Sequence, residues 1–122
     1  MAVKKTLVFG ASLHAYRYSN LAMRRLAQKG IETIGFGLKE GEVAGKKILT
    51  DLAGITDIDT ITLYMNSLHQ QEFYSDIIAI RPRRVIFNPG AENPELYKLL
   101  REEGIEVEVG CTLVMLATGQ YD

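Results

Sequence analysis

Residues 7–20, Leu7-Val8-Phe9-Gly10-Ala11-Ser12-Leu13-His14-Ala15-Tyr16-Arg17-Tyr18-Ser19-Asn20, have the composition of an anion cradle. An apolar run breaks at one glycine, small residues follow, and a helix is expected to open near Tyr18. The first amides of a helix lack intrahelical acceptors, and the helix N-terminus carries roughly half a positive charge, so a phosphate sits there favourably. Gly10 permits positive φ and close approach of backbone to a ligand. Ala11 and Ser12 are too small to block one. Arg17 adds a planar fork matched to phosphate oxygens, just before Tyr18 and Ser19. The alternative is a tight strand–helix turn with no ligand, since the full G-x-G-x-x-G pattern is absent.

The other residues with chemistry in reach form no catalytic set. Ser12 has no His–Asp pattern nearby and lacks a G-x-S-x-G setting. Cys111 is the only thiol. It is read as a buried, inert cysteine rather than a thiolate favoured at a helix start. His14 and His69 share no metal-binding spacing and are read as solvent-side, with His14 near the ligand loop. The carboxylates are scattered. The expectation is therefore binding without catalysis, and no metal.

The elements that must position the loop follow from periodicity. Lys4 to Phe9 is a buried strand. Tyr18 to Lys29 is a helix whose apolar Tyr18, Leu21, Ala22 and Leu26 fall on one face, and Gly30 caps its end. Ile31 to Phe36 is the second strand, followed by Gly37 and Lys39. A ribose-binding acid is expected at that point in a domain that takes NAD, and none stands there. Lys39 is read as a partner for an additional phosphate near the adenosine ribose, or else as a solvated loop lysine.

Lys46 to Leu49 reads as a short edge strand and Asp51 to Gly54 as one helical turn. Thr60 to Tyr64 is a strand, with Asn66-Ser67 capping a helix over Leu68 to Ile80 that Pro82 stops. Arg84 to Phe87 is the next strand, and Asn88-Pro89-Gly90 the loop at its carboxyl end. Asn93 caps a helix over Pro94 to Glu103, and Ile105 to Val109 is the last strand. Cys111 to Ala117 is a short apolar helix or an irregular tail. Strands alternate with crossovers long enough for parallel pairing. The expected fold is α/β, one Rossmann-like doubly wound sheet of five or six mostly parallel strands with helices on both faces, spanning residues 1–122 as one domain. Ligands of such sheets bind at the carboxyl ends of the strands. Three glycine-bearing loops reach that edge, at 10–18, 37–39 and 88–92.

Composition narrows the partners. The chain has 122 residues, 47% of them hydrophobic, and a formal net charge of −1. That suits one packed domain and supplies no bulk field for nucleic acid or an acidic membrane. Arg24-Arg25 and Arg81-Pro82-Arg83-Arg84 are read as a solvated helix face and a strand entry. One cysteine forbids an intrachain disulfide and suits a reducing cytoplasm. Met1-Ala2-Val3-Lys4-Lys5 has no apolar run behind its lysines, and no stretch is apolar enough to span a bilayer.

The chain resembles the stand-alone CoA-binding domain family, related to the nucleotide-binding domain of the succinyl-CoA synthetase alpha chain. The likeness rests on Val8-Phe9-Gly10-Ala11-Ser12, Arg17, Ser19, Lys39, Gly45, Asp59, the Asn88–Gly90 loop and Cys111, in that order and spacing. It implies that Gly10, Ala11, Ser12 and Arg17, with Tyr18 and Ser19 at the helix start, hold a CoA pyrophosphate. It places Gly37 and Lys39 near the adenosine end, and Asn88 and Gly90 beside the ligand. The family usually shows Asn-Pro where Gly37-Leu38 stands, and Gln-x-Gly where Asn88-Pro89-Gly90 stands. The implied ligand is coenzyme A or an acyl-CoA, held by a carrier, sensor or regulatory subunit. An NADP-binding enzyme module and a ligand-free interaction domain are the alternatives.

Overall fold

A computed structural model of the chain describes residues 4–121; Met1-Ala2-Val3, which bear on the reading of the N-terminus, lie outside them. The strands are β1 (Lys5–Ala11), β2 (Glu32–Gly37), β3 (Gly41–Val43), β4 (Lys46–Leu49), β5 (Ile58–Leu63), β6 (Arg84–Phe87) and β7 (Glu106–Val109). They form one sheet in the order β3-β4-β2-β1-β5-β6-β7, parallel throughout except for the β3–β4 pair. The helices are α1 (Tyr18–Gln28), α2 (Ser67–Gln70), α3 (Tyr74–Ile80), α4 (Pro94–Glu102) and α5 (Thr112–Ala117). The fold is α/β and Rossmann-like, with two more strands than the lower of the expected numbers.

Alternation along β1 sorts the core. Leu7 and Phe9 join Ile61, Leu63, Val85 and Phe87 in a cluster closed by Ile77 of α3 and by Leu96 and Leu100 of α4. Val8, between them in sequence, points to the other face and joins Ile86, Met23 and Leu26 of α1 and Met115 and Leu116 of α5. Leu7, Val8 and Phe9 are all fully buried, as a strand covered on both faces requires. β1 has β2 on one side and β5 on the other, so the chain reverses its direction of winding at this strand.

Several expectations are corrected. β1 does not end at Phe9; it bulges at Gly10 and pairs on through Ala11 with Gly37. β3 was not expected. It forms a two-residue hairpin with β4 through Ala44 and Gly45, both at positive φ (53° and 78°), and alanine is an uncommon occupant of that conformation. Residues 51–54 form an isolated turn rather than a helix, closed by Ile55 N–H donating to Leu52 O at 3.0 Å and opened by the Asp51 carboxylate accepting from Ala53 N–H at 2.9 Å. The buried residues of α1 are Ser19, Asn20, Ala22, Met23 and Leu26, and Tyr18 is 73% exposed. The expected helix over 68–80 divides into α2, a 3₁₀ turn at Gln71–Phe73, and α3. Two tertiary demands account for the break. Phe73 packs edge-on against Phe9 and Phe36, with centroids 5.3 and 5.5 Å away. The wholly buried Gln70 amide donates to Met65 O and Ala91 O at 2.7 and 2.8 Å.

The opposite edge of the sheet is tied by charge. Arg84, read from sequence as part of a strand entry, is buried. Its Nε donates to Thr60 Oγ1 at 3.0 Å, its Nη2 to the Tyr121 carbonyl, and its Cζ lies 4.5 Å from the Tyr121 ring centroid. Arg83 grips Asp59 with both fork nitrogens, at 3.0 and 3.2 Å. Burial works against the Asp59 carboxylate, yet the bonds from Arg83 and Thr60 outweigh it and hold its pKa below the ordinary 3.8. A depressed carboxylate pKa stabilises the fold above the unfolded value, and that stability is lost as pH falls through the folded one. Asp59→Asn should therefore lower the melting temperature at pH 6 and converge with wild type as pH falls below about 4. A gap that stays constant down to pH 2, followed by calorimetry, would show that the pair contributes nothing titratable.

Candidate functional site

The strand ends at the carboxyl edge are drawn close together. A Cβ on Gly10, whose φ is +97°, would lie 3.0 Å from Tyr64 O, just past the end of β5. A Cβ on Gly37 would lie 2.2 Å from Ala11 O. The ends of β2, β1 and β5 thus abut with no side chain between them, at the point where the winding reverses. In open α/β sheets the ligand crevice lies there.

The loop from Ser12 to Arg17 rises from this edge into α1. Arg17 occupies the N-cap in extended conformation (φ −78°, ψ 142°), and no side chain caps the helix. The first turn of α1 carries no acid. Ser19 is buried there, while Arg17 is exposed and makes no salt bridge among the described residues. Uncapped amides, an adjacent guanidinium and a first turn free of acid are the electrostatics an anion needs. Gly10, Ala11, Ser12, Arg17, Tyr18 and Ser19 are brought together at this turn. Gly37 abuts it through the Ala11–Gly37 pair, and Lys39 stands exposed two residues on. Ser12 Oγ accepts from His14 N–H at 3.1 Å, and the His14 ring lies 5.4 Å from that of Tyr16.

Beside the end of β2 a cleft of about 530 Å³ runs along α3, lined by Phe36, Leu52, Ile55, Phe73, Asp76 and Ile80 among others. Its aromatic walls, Phe36 and Phe73, were not singled out in the sequence.

Asn88 requires a correction. It was expected to face the ligand, and its side chain points into the fold, with 1% of the residue exposed. Nδ2 donates to Thr62 Oγ1 and Leu63 O at 2.8 and 2.9 Å, and Oδ1 accepts from Thr112 N–H at 2.8 Å. Asn88 therefore caps α5 and clamps β6 to β5, with its amide hydrogens and its oxygen all engaged. Gly90, with φ +95° and open space around it, remains at the rim. Cys111 is half-buried rather than buried, at the N-cap of α5. Tyr64 lies under this corner, where burial pushes its phenol well above the ordinary value. Its hydroxyl has no hydrogen-bond partner among the described residues.

Comparison with known proteins gives the family. The sequence model of the CoA binding domain matches residues 4–117. The chain belongs to the CoA-binding domain family. A crystal structure of an uncharacterized protein shares 49% identity with this CoA-binding domain, covering 99% of this chain and 100% of that one, with a TM-score of 0.93. A Thermus thermophilus protein at 21% identity covers 98% of this chain and 91% of its own, with a TM-score of 0.87. A conserved hypothetical protein of Pyrococcus furiosus at 24% identity covers 91% and 97%, with a TM-score of 0.79. The last two share the fold. No curated protein matches the chain. Among the described residues no helix is long and apolar enough to cross a membrane.

The clamp makes a prediction. Asn88→Ala should strand the Thr112 amide and the Leu63 carbonyl, at a cost of about 2 kcal/mol or more, on the order of 10 °C in melting temperature. A melting temperature within a degree of wild type would show that Asn88 does not carry these bonds.

Proposed function

We propose that this protein binds coenzyme A or an acyl-CoA without performing chemistry on it, as a carrier, sensor or regulatory subunit. The observation that carries the reading is the family match across residues 4–117, which lands on an α1 N-terminus with no cap and no acid, beside a glycine turn. In this reading the pyrophosphate rests on Gly10, Ala11, Ser12 and the first amides of α1, at Tyr18 and Ser19, with Arg17 pairing its oxygens. The adenosine extends past Gly37 toward Lys39 and the cleft beside Phe36, and Gly90 lets the loop after β6 approach the pantetheine side. Asn88 acts by holding that loop, not by touching the ligand.

Absence of catalysis is part of the proposal. A working site needs a nucleophile with a base, or a metal. Ser12 Oγ accepts from a backbone amide within its own loop, and among the described residues no imidazole bonds to it. Ligand at 100 times its dissociation constant adds about 2.7 kcal/mol to folding stability. CoA should therefore raise the melting temperature by several degrees, and by more than NAD or NADP at equal concentration. Arg17→Ala should weaken CoA about ten- to a hundredfold by calorimetry while the fold persists, since a charge-assisted hydrogen bond is lost from an exposed position. A larger shift with NADP than with CoA would transfer the site to a nicotinamide nucleotide.

Lys39 is assigned the 3′-phosphate of the CoA ribose. Wild type should bind CoA more tightly than dephospho-CoA by several-fold at low salt, and salt should erode the difference. Lys39→Ala should lose most of that preference and bind dephospho-CoA as wild type does. The ligand then supplies one of the two changes in a double-mutant cycle. Retention of the full preference in the variant would return Lys39 to the solvent.

A further inference from the structure

We infer that Asn20 and Arg24 are positioning residues that hold the loop over residues 12–16 in its anion-accepting shape. The inference rests on the CoA-binding reading above and goes beyond it, because neither side chain belongs to the turn, the helix cap or the adenosine end.

Asn20 lies in the first turn of α1 and is 4% exposed. Its Nδ2 donates back to Ser12 O at 2.9 Å. Its Oδ1 accepts from Arg24 Nε, one helical turn on, also at 2.9 Å. Arg24 Nη2 then donates to Ala15 O at 3.0 Å. Two carbonyls of the loop are thus tied to one pair of side chains on α1, and the pair is itself bonded together. In a trans peptide the carbonyl of one residue and the N–H of the next point in opposite directions. Drawing Ser12 O and Ala15 O onto α1 therefore turns the Leu13 and Tyr16 amides the other way. Neither amide donates a hydrogen bond among the described residues. Without the tether, rotation of either peptide would present a carbonyl where an anion needs a donor.

A second contact holds the loop's outer side. A Cβ on Gly41 would lie 2.6 Å from Leu13 Cδ2, so the Leu13 side chain sits directly over β3. The loop is thereby held from α1 through its carbonyls and from β3 through Leu13. Its shape is set before any ligand arrives, and apparent affinity rises with the fraction of molecules already in the competent form.

Arg24 is exposed, so its variants should fold, and it separates geometry from charge. Lysine keeps the charge but offers a single nitrogen in place of the fork that bonds Asn20 and Ala15 together. If Arg24 acts by positioning, Arg24→Lys and Arg24→Ala should both lose about tenfold in CoA affinity by calorimetry, with melting temperatures near wild type. In the ligand-free protein, backbone ¹⁵N order parameters for residues 13–16 should fall from about 0.85 to below about 0.6 in both variants. Wild-type affinity in Arg24→Lys with a loss in Arg24→Ala would overturn the inference, because charge alone would then suffice. Unchanged order parameters would overturn it as well. Failure of wild type to bind CoA at all would sink the CoA reading instead, and the order parameters would then decide by themselves whether the two side chains set the loop.

Discussion

The close approach of the ends of β1, β2 and β5 is the constraint on which the rest of the molecule depends. At Gly10 the backbone runs so near Tyr64 O that a side chain would collide, and at Gly37 it runs nearer still to Ala11 O. Because nothing stands between these strand ends, β1 can bulge and still pair through Ala11. The bulge lifts the chain off the sheet at the position where the winding reverses. The direction of the 12–17 loop, the uncapped start of α1 and the seating of Met23 and Leu26 against Val8 all follow from that departure.

Below this rim the structure is held by polar side chains rather than by apolar contact alone. Asn88 joins β5, β6 and α5. Gln70 joins the segment after β5 to the segment after β6, and its Oε1 accepts from Asn93, the cap of α4, at 2.8 Å. Each buried amide is satisfied, and a satisfied buried network rigidifies its surroundings. The crossovers that end at the candidate site are therefore anchored to one another, not only to the sheet. A site meant to receive an extended, flexible ligand gains from such a floor, since most of the ordering entropy then falls on the ligand.

What could be read from the sequence was what repeats or alternates. The buried β1, the strand–helix order, the Asn93–Pro94 start of α4 and the glycines at the rim all carry local signals, and these elements are present in the fold. The direction of a side chain at a strand end carries no such signal. Asn88 follows Phe87 at the mouth of the sheet, and its sequence is the same whether it faces a ligand or its own fold. Thr62, Leu63 and Thr112, 24 to 26 residues away, decide between them. Arg84 was hidden for the same reason, since arginine is almost never buried unless paired and its partner Tyr121 lies 37 residues on. The break between α2 and α3 arises from Phe73 meeting Phe9 and Phe36, a contact that overrides the helical propensity of 68–80. β3 escaped notice because its turn uses alanine where asparagine or aspartate would have announced it.

The two asparagines in the floor under the rim, Asn88 and Asn93, share a chemical property. Asn88 is followed by Pro89, and the α4 cap Asn93 by Pro94. Spontaneous deamidation of asparagine begins when the nitrogen of the next residue, having shed its hydrogen, attacks the side-chain amide and closes a succinimide ring. Proline nitrogen carries no hydrogen, so that route is shut at both positions. Conversion of Asn88 to aspartate would replace two donated hydrogen bonds with a buried carboxylate set against Leu63 O. The residues whose ageing would do most harm under the rim are those whose neighbours prevent it.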